Sequence, residues 1–325
     1  MGYYTGNAAD AAAVITAIVN SCVAEGWDWT DSVLSNTPSG ATYPISVKFS
    51  SATVSGYAPV RLWCKNSSDA WCPYYVTMCV PVKSVNVTYP VTYHIFVFDA
   101  EVFAVVNYSD KYQWLAFGQS DQPGLGGSGN WMAATMGHLN SSSPDYPTDG
   151  VFMTLSEYGL THSYGMVICP GLGWSDKGAA LADSVADWQL VTNFWMDSGV
   201  ESSDFLHPWM YTAGALGKED EKQCGIRWAV PLLLTQPNNF NNEGVLLPIK
   251  VFQRRPSYMS SQVLQVQNAR QLRVDNYASG EIIQLGTDQW MIFPWYRKNS
   301  AARDCGQNVD HSGTFGWAIK YEPAT

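Results

Sequence analysis

Asp99 and Glu101 are the residues in this chain whose type and spacing come closest to a general acid–base pair. Two carboxylates two positions apart lie on one face of an extended chain; a glycosidase uses two carboxylates, one protonating the glycosidic oxygen and one acting at the anomeric carbon, and such pairs leave no local signature. Their setting, Asp-Ala-Glu between two apolar runs, reads equally as a hairpin turn. Asp310-His311-Ser312-Gly313 gathers three residue types used in nucleophilic triads, but such members meet only after distant segments fold together. The histidines at 94, 138, 162, 207 and 311 form neither His-x-x-x-His nor His-Glu-x-x-His. His94 sits in an apolar run and reads as a core histidine, and His207 precedes Pro208-Trp209 as a structural corner. Gly124-Leu-Gly126-Gly-Ser-Gly129 fits the literal G-x-G-x-x-G pattern. A dinucleotide site requires that pattern between a strand and a helix, and this one lies in a loop-like span, so it reads as a flexible or close-packed loop. Seven cysteines are irregularly spaced and lack the close pairs of a zinc site. Cys64 and Cys72 bracket a polar loop; a hairpin disulfide and buried free thiols are both open, with thiols expected in a reducing compartment. The expectation is no catalytic residue, no cofactor and no metal.

The elements that would position these residues are mostly strands. Short runs rich in Val, Tyr, Phe and Thr fall at Ile45–Phe49, Val60–Cys64, Tyr74–Val80, Tyr93–Phe98, Val102–Asn107 and Tyr112–Phe117. Tyr108-Ser-Asp-Lys111 divides the last two as a hairpin turn. Further runs follow at Val245–Gln253, Leu264–Val266, Leu272–Val274, Ile282–Leu285, Trp290–Trp295 and Phe315–Tyr321. One amphipathic helix is expected from Asn7 to Ala24, with Asn7 as N-cap, Asp10 favouring its N-terminal end and Gly26 as its stop. A short helix is expected at Ala179–Leu190, and Gln119–Gly150 reads mainly as loop. The fold class is therefore mainly β with a few helices (α+β): sandwich-like antiparallel sheets with the N-terminal helix packed on them. The organisation divides into 1–130, the helix and a β domain; 131–243, an irregular insertion or second region with aromatic loops; and 244–325, a C-terminal β region that could complete the first.

Composition narrows the function classes. The chain has 14 Trp, 18 Tyr and 12 Phe, but only 14% charged residues, against about 25% in an ordinary soluble domain. Two readings balance on composition alone: a subunit whose aromatic surface is covered by neighbours, or a rich core under a polar surface. With a net charge of −10 and no basic cluster longer than Arg254-Arg255 or Arg297-Lys298, tight nucleic-acid binding is disfavoured. No run reaches membrane-spanning length, and the apolar stretch Ala11–Ala24 lacks the basic leader of a signal peptide. If the aromatics serve an interface, the candidates are Trp27, Trp29, Trp71, Trp131, Trp195 and Trp209; Trp27 and Trp29, two apart, would face one side of an extended chain. The same residues with Trp63 could instead stack on sugars. Trp114 and Trp290, inside strand-like runs, are expected in the core.

Three patches resemble structural proteins of tailed-bacteriophage virions. They are Tyr3-Tyr-Thr-Gly-Asn-Ala8 running into an Ala-rich helix that ends at Gly26-Trp27; Tyr112-Gln-Trp-Leu-Ala-Phe-Gly118 before a Gly-rich stretch; and Trp290-Met-Ile-Phe-Pro294, Arg297-Lys298, His311-Ser-Gly313 and Gly316-Trp-Ala-Ile-Lys-Tyr321. The resemblance covers about a third of the chain, at both ends. It implies a multi-copy, non-enzymatic component of the tail, baseplate or neck, assembled in a host cytoplasm. Its partners would be other virion proteins and further copies in a symmetric ring. The alternative is an adhesin-like module that binds a host glycan.

Overall fold

The computed structural model describes residues 1–53, 57–72, 75–81, 86–135, 194–199, 246–254, 260–301 and 314–322. In chain order the elements are β1 (Gly2–Ala8), α1 (Ala11–Ala24), β2 (Asp28–Thr30), β3 (Val33–Asn36), β4 (Ile45–Ser50), β5 (Val60–Cys64), β6 (Val76–Met78), β7 (Val91–Val97), β8 (Glu101–Tyr108) and β9 (Lys111–Gln119). They continue with β10 (Asn130–Ala134), β11 (Phe194–Met196), β12 (Leu247–Arg254), β13 (Ser260–Arg273), β14 (Ile282–Leu285), β15 (Asp288–Pro294) and β16 (Phe315–Tyr321). The fold is mainly β, a sandwich-like arrangement of three antiparallel sheets with one helix near the N-terminus.

The six-stranded sheet β1-β7-β8-β9-β10-β11 is the middle layer. Alternation along β9 decides what each face meets. Trp114 points to the C-terminal sheet β12-β13-β16-β15-β14, with its ring 5.0 Å from that of Trp317. Phe117, on the opposite face, meets Trp27 at 5.7 Å and Phe49 at 6.1 Å. Phe49 belongs to the second five-stranded sheet, β2-β3-β4-β5-β6. A sheet covered on both faces needs apolar residues at consecutive positions, which is why β8 and β9 are buried almost throughout. One continuous core cluster draws on all three sheets and α1. Trp114, Trp131, Trp195, Trp295 and Trp317 are among its largest fully buried side chains, so much of the aromatic excess lies in the middle layer and in the C-terminal sheet packed on it.

The helix begins later than its apolar periodicity suggests. Residues 2–8 pair in full register with β7, and Asn7 lies opposite Thr92 in that ladder. The N-cap is Asp10, whose Oδ1 accepts a hydrogen bond from the Ala13 N–H at 2.7 Å. At the other end Gly26 takes φ +89°, as the expected stop requires. Val14, Ile18 and Cys22 form the buried stripe. Trp27 and Trp29 part company: the Trp27 N–H bonds back to Cys22 O and its indole turns inward, while Trp29 lies on the exposed strand β2.

Most expected strands are present with shifted ends. β1, β2 and β3 were not anticipated, and Asn130–Ala134 is strand β10 rather than loop. The runs Leu264–Val266 and Leu272–Val274 are parts of one strand, β13, whose register against β12 slips between Pro248 and Lys250. The expected helix at Ala179–Leu190 lies outside the described residues, as does most of the middle region. Among the described residues, no helix is long and apolar enough to cross a membrane.

Candidate functional site

Asp99 and Glu101 occupy the hairpin between β7 and β8, where the Phe98 N–H bonds to Glu101 O at 2.8 Å. The turn reading describes their backbone, and their side chains go to different elements. Asp99 accepts the Ser39 N–H at 3.1 Å and lines a cleft of about 490 Å³ together with Gly40, Tyr43, Asp121 and Gln122. Glu101 is buried and reaches the irregular stretch of β13. Its Oε1 accepts the Gln267 N–H at 2.9 Å; its Oε2 accepts the Asn268 N–H at 2.9 Å and Asn268 Nδ2 at 3.0 Å. Where β13 slips against β12, those backbone donors turn to the carboxylate instead. Burial pushes the Glu101 carboxyl up to about 7, opposed by these three hydrogen bonds and by Arg270. Geometrically this carboxylate is a tie between two sheets.

The Gly-rich segment is a close-packed loop. It runs straight into β10, so no helix N-terminus follows it. Gly126 N–H bonds to Ser198 O at 3.1 Å and Gly129 N–H to Asp197 O at 2.8 Å. A Cβ on Gly127 would lie 2.2 Å from Asp197 Oδ1, and Gly199, at φ +73°, would place one 1.9 Å from the carbonyl carbon of Gly126. Asp197 is the hub of this contact. It is buried, and its Oδ2 accepts the Ser67 N–H at 2.7 Å and both the N–H and the hydroxyl of Ser128 at 2.9 Å. A buried carboxylate with several donors leaves no mark in local sequence, and Asp197 was not anticipated.

His94 is a half-buried histidine packed between aromatic rings at the margin of the core. Tyr3 Oη lies 2.8 Å from its Nδ1, the Phe293 ring is 5.1 Å away, and burial pushes the imidazole down to about 4. The other four histidines, including His311 of the Asp-His-Ser cluster, lie outside the described residues. Cys22, Cys64, Cys72 and Cys79 are buried and outside any disulfide, so the hairpin bridge between Cys64 and Cys72 is not formed, and burial pushes the Cys79 thiol up to about 12. Among the described residues no three His, Cys, Asp or Glu side chains cluster as metal ligands would.

The interface candidates separate by burial. Trp27, Trp131 and Trp195 are interior, at 3%, 0% and 1% exposure. Trp131 and Trp195 fail as surface anchors because β10 and β11 place them in the middle layer, and Trp27 because it closes the helix onto Phe117. Trp29, at 41% exposure, and the half-buried Trp71 reach the surface. Trp209 lies outside the described residues. Trp114 and Trp290 are in the core, as expected.

A further cluster occupies the outward face of β4–β5–β6. Lys48 lies opposite Trp63 in the ladder, its Nζ 5.4 Å from the centre of that ring and 4.4 Å from the centre of Trp71. Arg61 stands 5.4 Å from both Trp63 and Tyr75. The alternation Arg61-Leu-Trp63-Cys-Lys65 places these side chains on one face and was the available sequence signal. No protein-family profile matches this chain, and no curated protein is significantly similar to it.

Proposed function

We propose that this chain is a non-enzymatic structural subunit of a bacteriophage virion, assembling in multiple copies in the tail, baseplate or neck. The observation that supports assembly most directly is the pair of exposed edge strands. Among the described residues β2 pairs only with β3, and β14 only with β15. Each carries large apolar side chains into solvent: Trp29 at 41% exposure on β2, Ile282 at 44% and Leu285 at 56% on β14. An edge offers unpaired N–H and C=O groups, and apolar side chains on it invite another chain to cover it. In a ring, one modest contact of this kind repeats around the axis, so copy number multiplies its effect. The virion assignment itself is supported by the resemblance of the three sequence patches, Tyr3–Trp27, Tyr112–Gly118 and Trp290–Tyr321.

Two measurements test the reading. Light scattering on the purified full chain is expected to give an oligomer, reduced toward monomer by Leu285→Lys with unchanged thermal unfolding. Mass spectrometry of purified phage particles is expected to find the chain at a fixed copy number. A monomeric protein that is also absent from particles would end the proposal.

A further inference from the structure

We infer that the outward face of β4–β5–β6 binds a carboxylate-bearing saccharide, with Lys48 and Arg61 addressing the acid and Trp63 and Trp71 forming the apolar bed. This inference does not depend on the virion reading. Its starting point is charge. The chain carries −10 overall, yet two cations stand side by side on this face with no described carboxylate in ion-pair contact. Lys48 Nζ makes ring contacts only. Arg61 uses only Nη2, bonded to Ser50 Oγ at 3.0 Å and Ala52 O at 3.1 Å. Lys65, next along the face, is paired with Asp69 at 2.6 Å while lying 5.1 Å from the Trp71 ring. An aromatic face holds a cation in place without neutralising it, so the face presents a fixed positive charge framed by rings.

The occupant follows from what the face offers. Lys48 and Arg61 stand over the aromatic rings, so a ligand meets cationic donors beside the partly exposed indoles; an anion fits that order and a neutral sugar does not. Among the described residues β6 is an edge of this sheet, and Lys48 on β4 is separated from it by β5, so a peptide adding as a strand at that edge would not reach Lys48. A saccharide needs no backbone groups: its C–H groups rest on the exposed parts of the indoles beside the cations, and its acid group reaches Lys48 and Arg61. Two uncompensated cations are too short a track for a nucleic-acid backbone on a chain of this net charge.

The test uses the full chain and titrates 3′-sialyllactose and tri-galacturonate, with lactose, hexaglutamate and a dT12 oligonucleotide as comparators. Saturable binding of at least one acidic saccharide is expected, with lactose at least about tenfold weaker when sialyllactose binds. Lys48→Gln is expected to weaken binding about tenfold or more, and Lys48→Arg to keep it within a few-fold. The Lys48 side chain donates no hydrogen bond in the fold and loses only its two ring contacts on replacement, so Lys48→Gln should stay folded with a modest drop in unfolding temperature. If Lys48→Gln nevertheless misfolds, the wild-type comparison of sialyllactose with lactose decides. Equal affinity for lactose and sialyllactose, undiminished binding by a folded Lys48→Gln, failure of both acidic saccharides, or tighter binding of hexaglutamate or dT12 would each overturn the inference.

Discussion

Replacing Glu101 by Gln should change how stability depends on pH, in a direction that the structure fixes. Two opposing effects act on this carboxyl. Full burial disfavours the charged form, and three donated hydrogen bonds favour it. With burial dominant, the folded chain holds the proton up to about pH 7, whereas the unfolded chain releases it near pH 4.5. Between those values the native state binds more protons, so this group's contribution to stability falls as pH rises. The span corresponds to at most about 3 kcal/mol, or several degrees in the unfolding temperature. The Gln variant has no such titration. It also turns an amide N–H₂ toward a backbone donor, at a pH-independent cost of about 1–3 kcal/mol. The assay is thermal unfolding of wild type and Glu101→Gln from pH 4.5 to 7.5, followed by the fluorescence of the buried tryptophans. Differencing the two removes every other titrating group. Wild type should lead the variant by more at pH 4.5 than at pH 7.5. A flat difference, or one that grows with pH, would refute the reasoning by showing that the three donors outweigh burial.

Three further outcomes follow from the same structure. Gly199→Ala should destabilise strongly, by more than about 2 kcal/mol, because its Cβ collides with backbone at positive φ. Gly40→Ala, equally positive in φ but with nothing within 4 Å, should cost about 1 kcal/mol; equal losses in thermal unfolding would contradict this. Asp197→Ala removes the acceptor of Ser67 and Ser128 and should cost about 2–4 kcal/mol by the same measurement, with a loss below 1 kcal/mol contradicting its role as hub. His94, with its folded value pushed down to about 4, should be neutral at pH 5 by NMR of its ring protons. Because the unfolded chain takes that proton first, stability should fall as pH drops from about 6.5 toward 4; a ring protonated at pH 5.5 would contradict the burial.

How much was legible in the sequence depended on whether the signal was local. Strands such as β5, β7 and β9 announced themselves through residue type, and the α1 stripe through its period. β1 did not: Gly2, Gly6 and Asn7 are poor strand residues, and only pairing with β7 makes them one. β10 was hidden because Asn130 and the small Ala133 and Ala134 follow a Gly-rich turn, and their burial comes from the layers on both sides. The same cause misled the choice of interface tryptophans. A tryptophan beside turn residues reads as exposed, yet Trp131 sits one residue into a central strand. The carboxylate ties of Glu101 and Asp197 join residues far apart in the chain and carried no local pattern. The cation–aromatic face was legible in the alternation along β5, but only the ladder with β4 brings Lys48 to it.

The pairing of β10 with β11 has one more consequence. Ala133 and Phe194 are opposite one another in the ladder, so the chain leaves the middle sheet and re-enters it one strand over. The two ends of the connection are held one ladder step apart. Shortening a connection of roughly 60 residues to a four-residue turn changes the closure entropy by only about 2 kcal/mol. The β10–β11 ladder thus acts as a clasp: the register Trp131↔Met196, Met132↔Trp195 and Ala133↔Phe194 fixes both ends of the connection at one place in the sheet, at a closure cost that depends only weakly on its length.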